Sequence, residues 1–569
     1  MAVDQSPLRD EEIARLFLDT PPVEPGSFEF ALVLGGTVSA GAYTAGALDF
    51  LIQALDCFSE ARAAGRAPRH RAILKLIAGT SGGGVNAGVA ARALAYDFPP
   101  IARPPATTDL DSGNPFYDVW VNKLRLGGFL DTSDLGGELR SLLNGAPIDA
   151  GCRHIVEFGP GSARARDWVA GPLRLILTVT NLRGIPYKLE ISPTLRQSYV
   201  DHADYLRFAV RYPGQAPGAP RPDEQALSFG GAPAPQATSW DDFALAATAT
   251  AAFPLGFPAR PLARPTEHYR YRVIPYPGEA PATNRAMALR PDWEAMRDDK
   301  GEVPESWTFL AVDGGATDNE PIQLARTSLA GLLNTNPRDA NLANRAIWLI
   351  DPFAGRAALG PEAATSFPLE LSAIVGTLIE QTRYSTADLL MAGNESIFSR
   401  FMLTPTRLDG TGRLLTGRDA IASSGLRAFI GFASPEFMRF DYMLGRRNCQ
   451  AFLRENFVLG EANPLFAGWT ADDRRDFRQS AGAGFLPIIP LVGAAAAETL
   501  TPAWPSGALD PEHFRAGIEA RYRGIFELEV SGGPGMAAIG WAGARLTEGH
   551  VADYVIKAMN DYLEAAGLA

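Results

Sequence analysis

Cysteine is scarce in this sequence. Only Cys57, Cys152 and Cys449 occur among the 569 residues, far apart and odd in number. They form no C-x-x-C pair and no zinc spacing, so neither a disulfide framework nor a structural zinc site is expected. H-E-x-x-H and similar metal-ligand clusters are absent as well. These absences predict a cytoplasmic protein without a bound metal.

Long apolar runs are also missing. No stretch of about 18 or more apolar residues occurs, so no membrane-spanning helix is predicted. The nearest candidate, residues 485–497, is short and contains Pro487 and Pro490. The N-terminus has no basic region followed by an apolar stretch, so no signal peptide is predicted. Any contact with a membrane is therefore expected to be peripheral.

Positive charge is in the minority. The chain carries 52 Lys and Arg against 64 Asp and Glu, a net charge of −12 at pH 7. A general polyanion binder needs concentrated basic residues, and the chain has neither a long basic run nor a nucleic-acid motif. Nucleic acid is therefore not an expected partner. Hydrophobic residues make up 46%, which is enough for a sizeable globular core.

Short apolar runs alternate with helical patterns in the first two thirds of the chain. The runs are typical of buried strands and lie at 28–34, 73–78, 173–180, 307–312 and 346–350. Such alternation predicts an α/β fold with three α/β/α layers, in which helices cover both faces of a mostly parallel sheet. We predict three regions: a polar leader over 1–26, an α/β domain over 27–355 and a mainly helical C-terminal extension over 356–569.

A G-x-S-x-G motif, Gly79-Thr80-Ser81-Gly82-Gly83, lies between the strand at 73–78 and an alanine-rich helical pattern. A nucleophilic serine needs a sharp turn on which neighbouring glycines permit strained backbone and close approach of a substrate. The N-terminus of the following helix favours negative charge nearby. A plain glycine-rich turn is the alternative, but the strand–turn–helix context favours Ser81 as a nucleophile.

A second glycine loop follows the strand at 28–34. It contains Gly35, Gly36 and Gly41. It has no lysine for a Walker A motif and does not match the Rossmann G-x-G-x-x-G, so a phosphate loop is not indicated. The loop is either a structural turn or a set of N–H donors that could stabilise the negative oxygen formed during acyl transfer.

Asp313 directly follows the strand at 307–312 and precedes Gly314 and Gly315. An Asp at the C-terminal end of a parallel strand lies where α/β sheets bind their ligands. It could accept the proton of Ser81 and return it to a leaving group. The alternative is an Asp-Gly turn, which is the commoner use of this pair.

Histidine is the usual general base, and six are present. His268, His513 and His550 come late enough in the chain for the Ser, Asp, His order of α/β-hydrolases. None follows a clear strand with glycine around it. A Ser–His–Asp triad is therefore disfavoured against a Ser81–Asp313 pair.

Taken together and in this order, the three motifs resemble those of patatin-like phospholipases. The resemblance covers roughly residues 28–355, including the stretches 178–182 and 246–254, and segment 440–448 resembles the helical extension of larger bacterial members. It implies that Ser81 is the nucleophile and Asp313 its acid–base partner, with Gly79, Gly83, Gly314 and Gly315 as motif glycines. It also implies an oxyanion hole formed by the N–H groups of Gly35, Gly36, Thr37, Val38 and Gly82.

The glycine loop departs from the common family pattern. Thr37 replaces the third glycine, and Ala40 replaces a basic residue that could hold a phospholipid phosphate. The expected function is cleavage of fatty-acyl esters of lipids, as by a phospholipase A or lysophospholipase, without a cofactor. The alternatives are an esterase or thioesterase for small acyl groups and a catalytically silent protein that binds lipid or a partner.

Three further features have two interpretations each. Arg446-Arg447 is expected to be a solvated helix face rather than a contact for anionic headgroups. The apolar segments 253–257 and 485–492 could contact a membrane or belong to the core. The oligomeric state is not predicted.

Overall fold

The computed structural model describes residues 3–105, 111–192, 195–215, 218–230, 236–276, 285–333, 336–353, 396–478, 484–530 and 536–569, together with residues 377, 381, 382, 391 and 394. Within these residues a central sheet has ten strands. In chain order they are β1 Ser27–Leu34, β2 Arg71–Gly79, β3 Val169–Ser192, β4 Leu195–Arg211, β5 Gln225–Ser228, β6 Arg260–Pro265, β7 Arg290–Pro291, β8 Ser306–Asp313, β9 Arg345–Ile350 and β10 Arg400–Leu403.

Eight helices in the described residues have nine or more residues. They are α1 Gly41–Ala63, α2 Gly82–Ala93, α3 Ala146–Glu157, α4 Trp240–Thr250, α5 Ile322–Ala330, α6 Pro435–Glu455, α7 Arg515–Val530 and α8 Met536–Ala566. Three small hairpins lie outside the sheet: Val273–Tyr276 with Arg285–Ala288, Thr406–Leu408 with Leu414–Thr416, and Val458–Gly460 with Phe485–Pro487.

The sheet is mixed. Strands β10, β9, β1, β2 and β3 are adjacent in that order and parallel. Strands β4 and β8 run antiparallel to β3, and β6 runs antiparallel to β8. The prediction of an α/β fold with helices on both faces is confirmed, whereas the expectation of a mostly parallel sheet holds only for one half of it.

Two apolar clusters cover the two faces of the sheet. On one face, Ile322, Ala325 and Leu329 of α5 pack against Val33 and other buried residues of the parallel strands. On the other face, the larger cluster unites α1, α2 and α6 with the opposite side of the same strands. Because both faces of the sheet are covered, the parallel strands are nearly continuous apolar runs in the sequence.

The C-terminal region contributes to this core. Strand β10 extends the sheet beyond β9, and α6 packs along α1. Arg446 of α6 is buried and forms an ion pair with buried Asp49 of α1. The expectation of a solvated face at Arg446 is therefore wrong, because this cation joins two helices. The region boundary at residue 355 remains a prediction, and the sheet itself continues past it.

Candidate active site

Strands β2 and β8 meet end to end along one edge of β3. The last residue of β2, Gly79, pairs with Leu177, and the last residue of β8, Asp313, pairs with Val179. The two strands approach this point from opposite directions. Asp313 therefore reaches the C-terminal edge of the parallel strands from an antiparallel strand, which corrects the expectation of a parallel one.

This arrangement brings Ser81 and Asp313 into direct contact. The Ser81 hydroxyl donates a hydrogen bond to Asp313 Oδ2 over 2.6 Å. Asp313 Oδ1 accepts the N–H of Gly315 over 2.8 Å. Both side chains are buried, with exposed fractions of 8% for Ser81 and 2% for Asp313. The two residues predicted as a catalytic pair thus form one hydrogen-bonded unit.

Burial controls the charge of Asp313. It raises the pKa of the carboxyl from 3.8 to about 7, and the hydrogen bonds from Ser81 and Gly315 only partly oppose this shift. A carboxyl with a pKa near 7 can accept and return a proton at neutral pH. Perturbed carboxyls of this kind are concentrated at functional sites.

Ser81 has the backbone of a nucleophile elbow. Its φ of 54° and ψ of −128° lie outside the regions that L-residues normally adopt. The turn brings the start of α2 against the end of β1, and a Cβ on Gly83 would clash with the carbonyls of Leu34 and Gly35. Glycine is therefore required there, as the motif predicts. The turn is a strained feature that the surrounding structure holds in place.

The glycine loop lies against this elbow. Gly35 and Gly36 donate their N–H groups to the carbonyls of Ile350 and Asn319, each over 3.3 Å. Val38 and Gly82 line the pocket at Ser81. Val38 has a φ of 46°, which is rare for a β-branched residue. Of the five predicted oxyanion residues, two thus donate their N–H groups to backbone carbonyls, and two others line the pocket.

Thr37, the remaining one of the five predicted oxyanion residues, is fully buried. Its hydroxyl has no hydrogen-bond partner in the described part of the chain. It occupies the space that a side chain on Gly82 would need. The residue that replaces the third glycine of the family pattern therefore packs directly against the start of α2.

Residues that sequence reasoning did not single out hold the two key side chains. Thr250 Oγ1 accepts the N–H of Ser81 over 3.0 Å, and the Ala252 carbonyl accepts the N–H of Asp313 over 2.8 Å. Both belong to the segment 246–254 noted for its resemblance. Asn319, six residues after Asp313, accepts the Gly36 N–H on its carbonyl and lies close to Gly315. A single Thr at the end of a helix, or a single Asn in a loop, gives no signal of its own.

Next to Ser81 is an apolar pocket. Besides the glycine loop and the start of α2, its walls come from residues near 119–124, from α3, from the turn at 251–257, and from Phe429 with Phe432 in the C-terminal region. The free cavity is narrow, at about 40 Å³, which holds only a few water molecules. An apolar chain attached to an atom at Ser81 would lie among these walls.

The C-terminal wall of this pocket has an unusual backbone. Leu426, Arg427 and Ala428 all have positive φ, at 50°, 54° and 68°. Three successive non-glycine residues in the left-handed region are costly. The carbonyl of Ala428 accepts a hydrogen bond from the hydroxyl of Ser39 in the glycine loop. The strained turn is thus fastened to the loop beside Ser81.

Buried Asp441 of α6 supports the same wall. Its carboxyl accepts the N–H groups of Ala422 and Ser423, over 2.8 Å and 3.2 Å. Burial raises its pKa to about 7. Asp441 fixes the segment that leads into the left-handed turn and lies outside the pocket.

Among the described residues, neither a histidine nor a metal-binding cluster of side chains lies at this site. The residues that line the pocket include no histidine, and His268 is buried elsewhere with a pKa lowered to about 3 by burial. Among the described residues, no cluster of His, Cys, Asp and Glu could hold a metal ion. None of the helices in the described ranges is both long and apolar enough to cross a membrane.

Comparison with known proteins identifies the family. A model of patatin-like phospholipases matches residues 32–326, slightly more than half of the chain, and this range contains both Ser81 and Asp313. An uncharacterized protein of Sinorhizobium fredii, y4iI, is 31% identical over 518 residues, covering 84% of this chain and 72% of that protein. The chain therefore belongs to the patatin-like phospholipase family, whose members are in general lipid acyl hydrolases.

Proposed function

We propose that this protein is a serine acyl hydrolase that cleaves fatty-acyl esters of lipids, as a phospholipase A or lysophospholipase does. The observation that carries the proposal is the 2.6 Å hydrogen bond from Ser81 Oγ to Asp313 beside an apolar pocket that Ser81 lines. A nucleophile, its base and a water-poor acyl pocket are the parts that ester hydrolysis needs.

The proposed reaction has two halves. Ser81 Oγ attacks the ester carbonyl while Asp313 accepts the hydroxyl proton, and the N–H groups of Val38 and Gly82 stabilise the oxyanion. The C–O bond to the alcohol breaks, and the alcohol leaves with the proton from Asp313. Water then gives a proton to Asp313 and attacks the acyl-enzyme, and Ser81 recovers its proton as the fatty acid leaves. Apart from the substrate, the leaving alcohol and water, only Ser81 and Asp313 exchange protons in these steps.

The test of this function uses a fluorophosphonate probe and a series of p-nitrophenyl esters. We expect the probe to label Ser81, as peptide mapping would report, and ester turnover to rise when long-chain substrates form micelles. A protein that stays unlabelled and turns over none of the esters would be the silent binding protein instead.

An esterase or thioesterase for small acyl groups is the second candidate. The narrow cavity of about 40 Å³ favours it, because a long acyl chain needs the aromatic wall to move. An enzyme of this second kind would turn over C2–C4 esters faster than C12–C16 esters, and its turnover would not rise when the substrate forms micelles.

Phe429 is predicted to set the acyl length. It packs against Phe253, with ring centroids 5.7 Å apart, and both rings line the pocket. Phe429→Ala removes most of one wall, so we expect kcat/KM for C12 relative to C4 esters to rise at least about tenfold. Phe485→Ala, which removes a ring stacked on Phe398, is the control. An unchanged ratio in Phe429→Ala would exclude this wall from chain selection.

Gly82 is predicted to be intolerant of a side chain. A Cβ there would clash with Thr37 and lie 3.1 Å from the Val38 carbonyl, so the glycine loop would have to shift. We expect Gly82→Ala to lower kcat about 10²–10³-fold, the cost of a lost oxyanion donor. The control is Gly88→Ala in the same helix, where the nearest atom is the flexible tip of Ile155. Equal kcat in the two variants would contradict the assignment.

Peripheral membrane contact is proposed at the pocket rim. Leu255 and Leu142 are exposed by 55% and 53%, and the Leu142 N–H donates to the Leu255 carbonyl over 2.9 Å. Leu255 lies between Phe253 and Phe257, which both line the pocket. A lipid surface that covers these two leucines would bring its acyl esters to Ser81. The other apolar segment, 485–492, is largely buried and supports the core instead.

A further inference from the structure

A second, larger cavity lies far from Ser81. It has a volume of about 500 Å³ and is bounded by the N-terminal segment, by residues of β1, β2, β3 and β9, by Arg221, and by the last turn of α5. Lys75 on β2 lines it, six residues before Ser81, which follows the end of that strand. At about 3.3 Å per residue, the two sites are on the order of 20 Å apart. A molecule bound in this cavity is therefore separate from a substrate at Ser81.

Positive charge dominates the wall of this cavity. Five cations line it, Arg15, Lys75, Arg174, Arg221 and Arg345, against two carboxylates, Asp19 and Glu29. In a chain with a net charge of −12, an excess of three positive charges around one cavity is a local feature that overall composition does not explain. Such a cavity concentrates anions.

The carboxylates nearby do not neutralise all of these cations. Glu29 is shared, 3.3 Å from Lys75 Nζ and 2.8 Å from Arg345 Nε. Arg174 pairs over 2.9 Å with Glu224, which does not line the cavity. Within the described ranges, neither Arg15 nor Arg221 forms an ion pair. Even when Glu224 is counted, two positive charges remain in excess.

Arg221 is a half-buried cation of this wall. Its guanidinium donates to the Ser328 carbonyl over 3.3 Å. Burial and the adjacent charge of Arg174 lower its pKa to about 10, and the nearby carboxylates of Glu224 and Asp223 oppose this shift only in part. It is thus still protonated at neutral pH, in surroundings that disfavour its charge. A bound anion would offset this cost.

The chemistry of the wall indicates the class of anion. Four of the five cations are arginines, whose planar forks bind phosphate oxygens in pairs. Leu16, Leu76 and Leu329 form an apolar part of the same wall. We propose that this cavity binds a soluble phosphorylated small molecule, with its phosphates at the arginines and its uncharged part on the leucines.

Isothermal titration calorimetry in a phosphate-free buffer tests the proposal. ADP and inorganic pyrophosphate are the anionic probes, and adenosine is the uncharged comparator. We expect both anions to bind, ADP more tightly than pyrophosphate, and adenosine not to bind. Ser81→Ala should bind ADP with unchanged affinity, so the result does not depend on the proposed hydrolase activity. Absence of binding by both anions, or equal binding of adenosine and ADP, overturns the proposal.

Two variants locate the site. Arg221→Gln and Arg15→Gln should each weaken ADP binding at least tenfold, whereas Arg66→Gln, an exposed arginine remote from the cavity wall, should leave it unchanged. Arg15 is itself exposed, so its replacement does not disturb the core. The melting temperatures of Arg221→Gln and Arg15→Gln should equal that of the wild type, which checks that both variants are folded. If both variants bind ADP as the wild type does, the cavity is not the binding site.

Discussion

Ser81→Ala is expected to lower kcat for hydrolysis of p-nitrophenyl acyl esters by at least about 10⁴-fold, because no acyl-enzyme can form without the hydroxyl. Ser81 Oγ is the atom that donates to Asp313, and its strained backbone directs it into the pocket. Initial rates with purified protein, together with loss of fluorophosphonate labelling, measure the effect.

Two comparisons make the Ser81 result specific. Ser133→Ala changes an exposed loop serine and should retain full activity. The Ser81 variant should keep its melting temperature within a few degrees, since the change removes one atom without altering the elbow. A Ser81→Ala protein that retains more than a tenth of wild-type kcat would exclude the acyl-enzyme route.

Asp313→Asn is expected to lower kcat by about 10³–10⁴-fold. Asparagine keeps the shape of the side chain and can still accept the N–H of Gly315, but it cannot take the proton from Ser81. No histidine lines the pocket as a substitute base. Full activity of Asp313→Asn would mean that another group, or a histidine reached by rearrangement, deprotonates Ser81.

The pH profile tests the same residue independently. Asp313 must be ionised to act as a base, and burial raises its pKa to about 7. We therefore expect kcat/KM of the wild type to rise about tenfold per pH unit below 7 and to level off above about 8. A profile that is already flat from pH 5 would show that the catalytic carboxyl has an ordinary pKa.

The thermal stability of Asp313→Asn shows whether a loss of activity reflects lost catalysis or a lost fold. The native pKa of about 7 lies above the ordinary value of 3.8, so the native state keeps a proton that the unfolded state releases. The contribution of Asp313 to stability therefore falls as pH rises from about 4 through 7. The amide in Asp313→Asn never ionises, and this variant should melt at or above the wild-type temperature at pH 8. The pKa of Asp441 shifts in the same direction, but that residue is present in both proteins.

The parts that could be predicted from the sequence are those specified by local pattern. The apolar runs at 28–34 and 346–350 predicted buried parallel strands because both faces of the sheet are covered. Gly79 to Gly83 between a strand and a helix predicted the elbow, since a strained turn needs residues without side chains. Asp313 was predicted as a strand-end residue, and the structure brings it to Ser81.

The remaining features depend on contacts between distant segments. The direction of β8 is set by the long β3, which extends beyond the end of β2 and offers its free edge to an antiparallel strand. Thr250 and Asn319 act through single hydrogen bonds that no sequence pattern encodes. Arg446 looked like a surface cation because its partner, Asp49, lies almost 400 residues earlier.

The pocket wall formed by Phe429 and Phe432 has a consequence for synthesis of the protein. Ribosomes add about 5–20 residues per second, so this wall emerges on the order of 20–70 s after Ser81. During that interval the nascent chain has the turn at Ser81. The apolar lining of the pocket and the face of α1 that later contacts α6 are still uncovered. Recombinant fragments that end near residue 355 would keep this exposed surface permanently. We therefore expect such fragments to aggregate, and intact protein to require its C-terminal third before it becomes active.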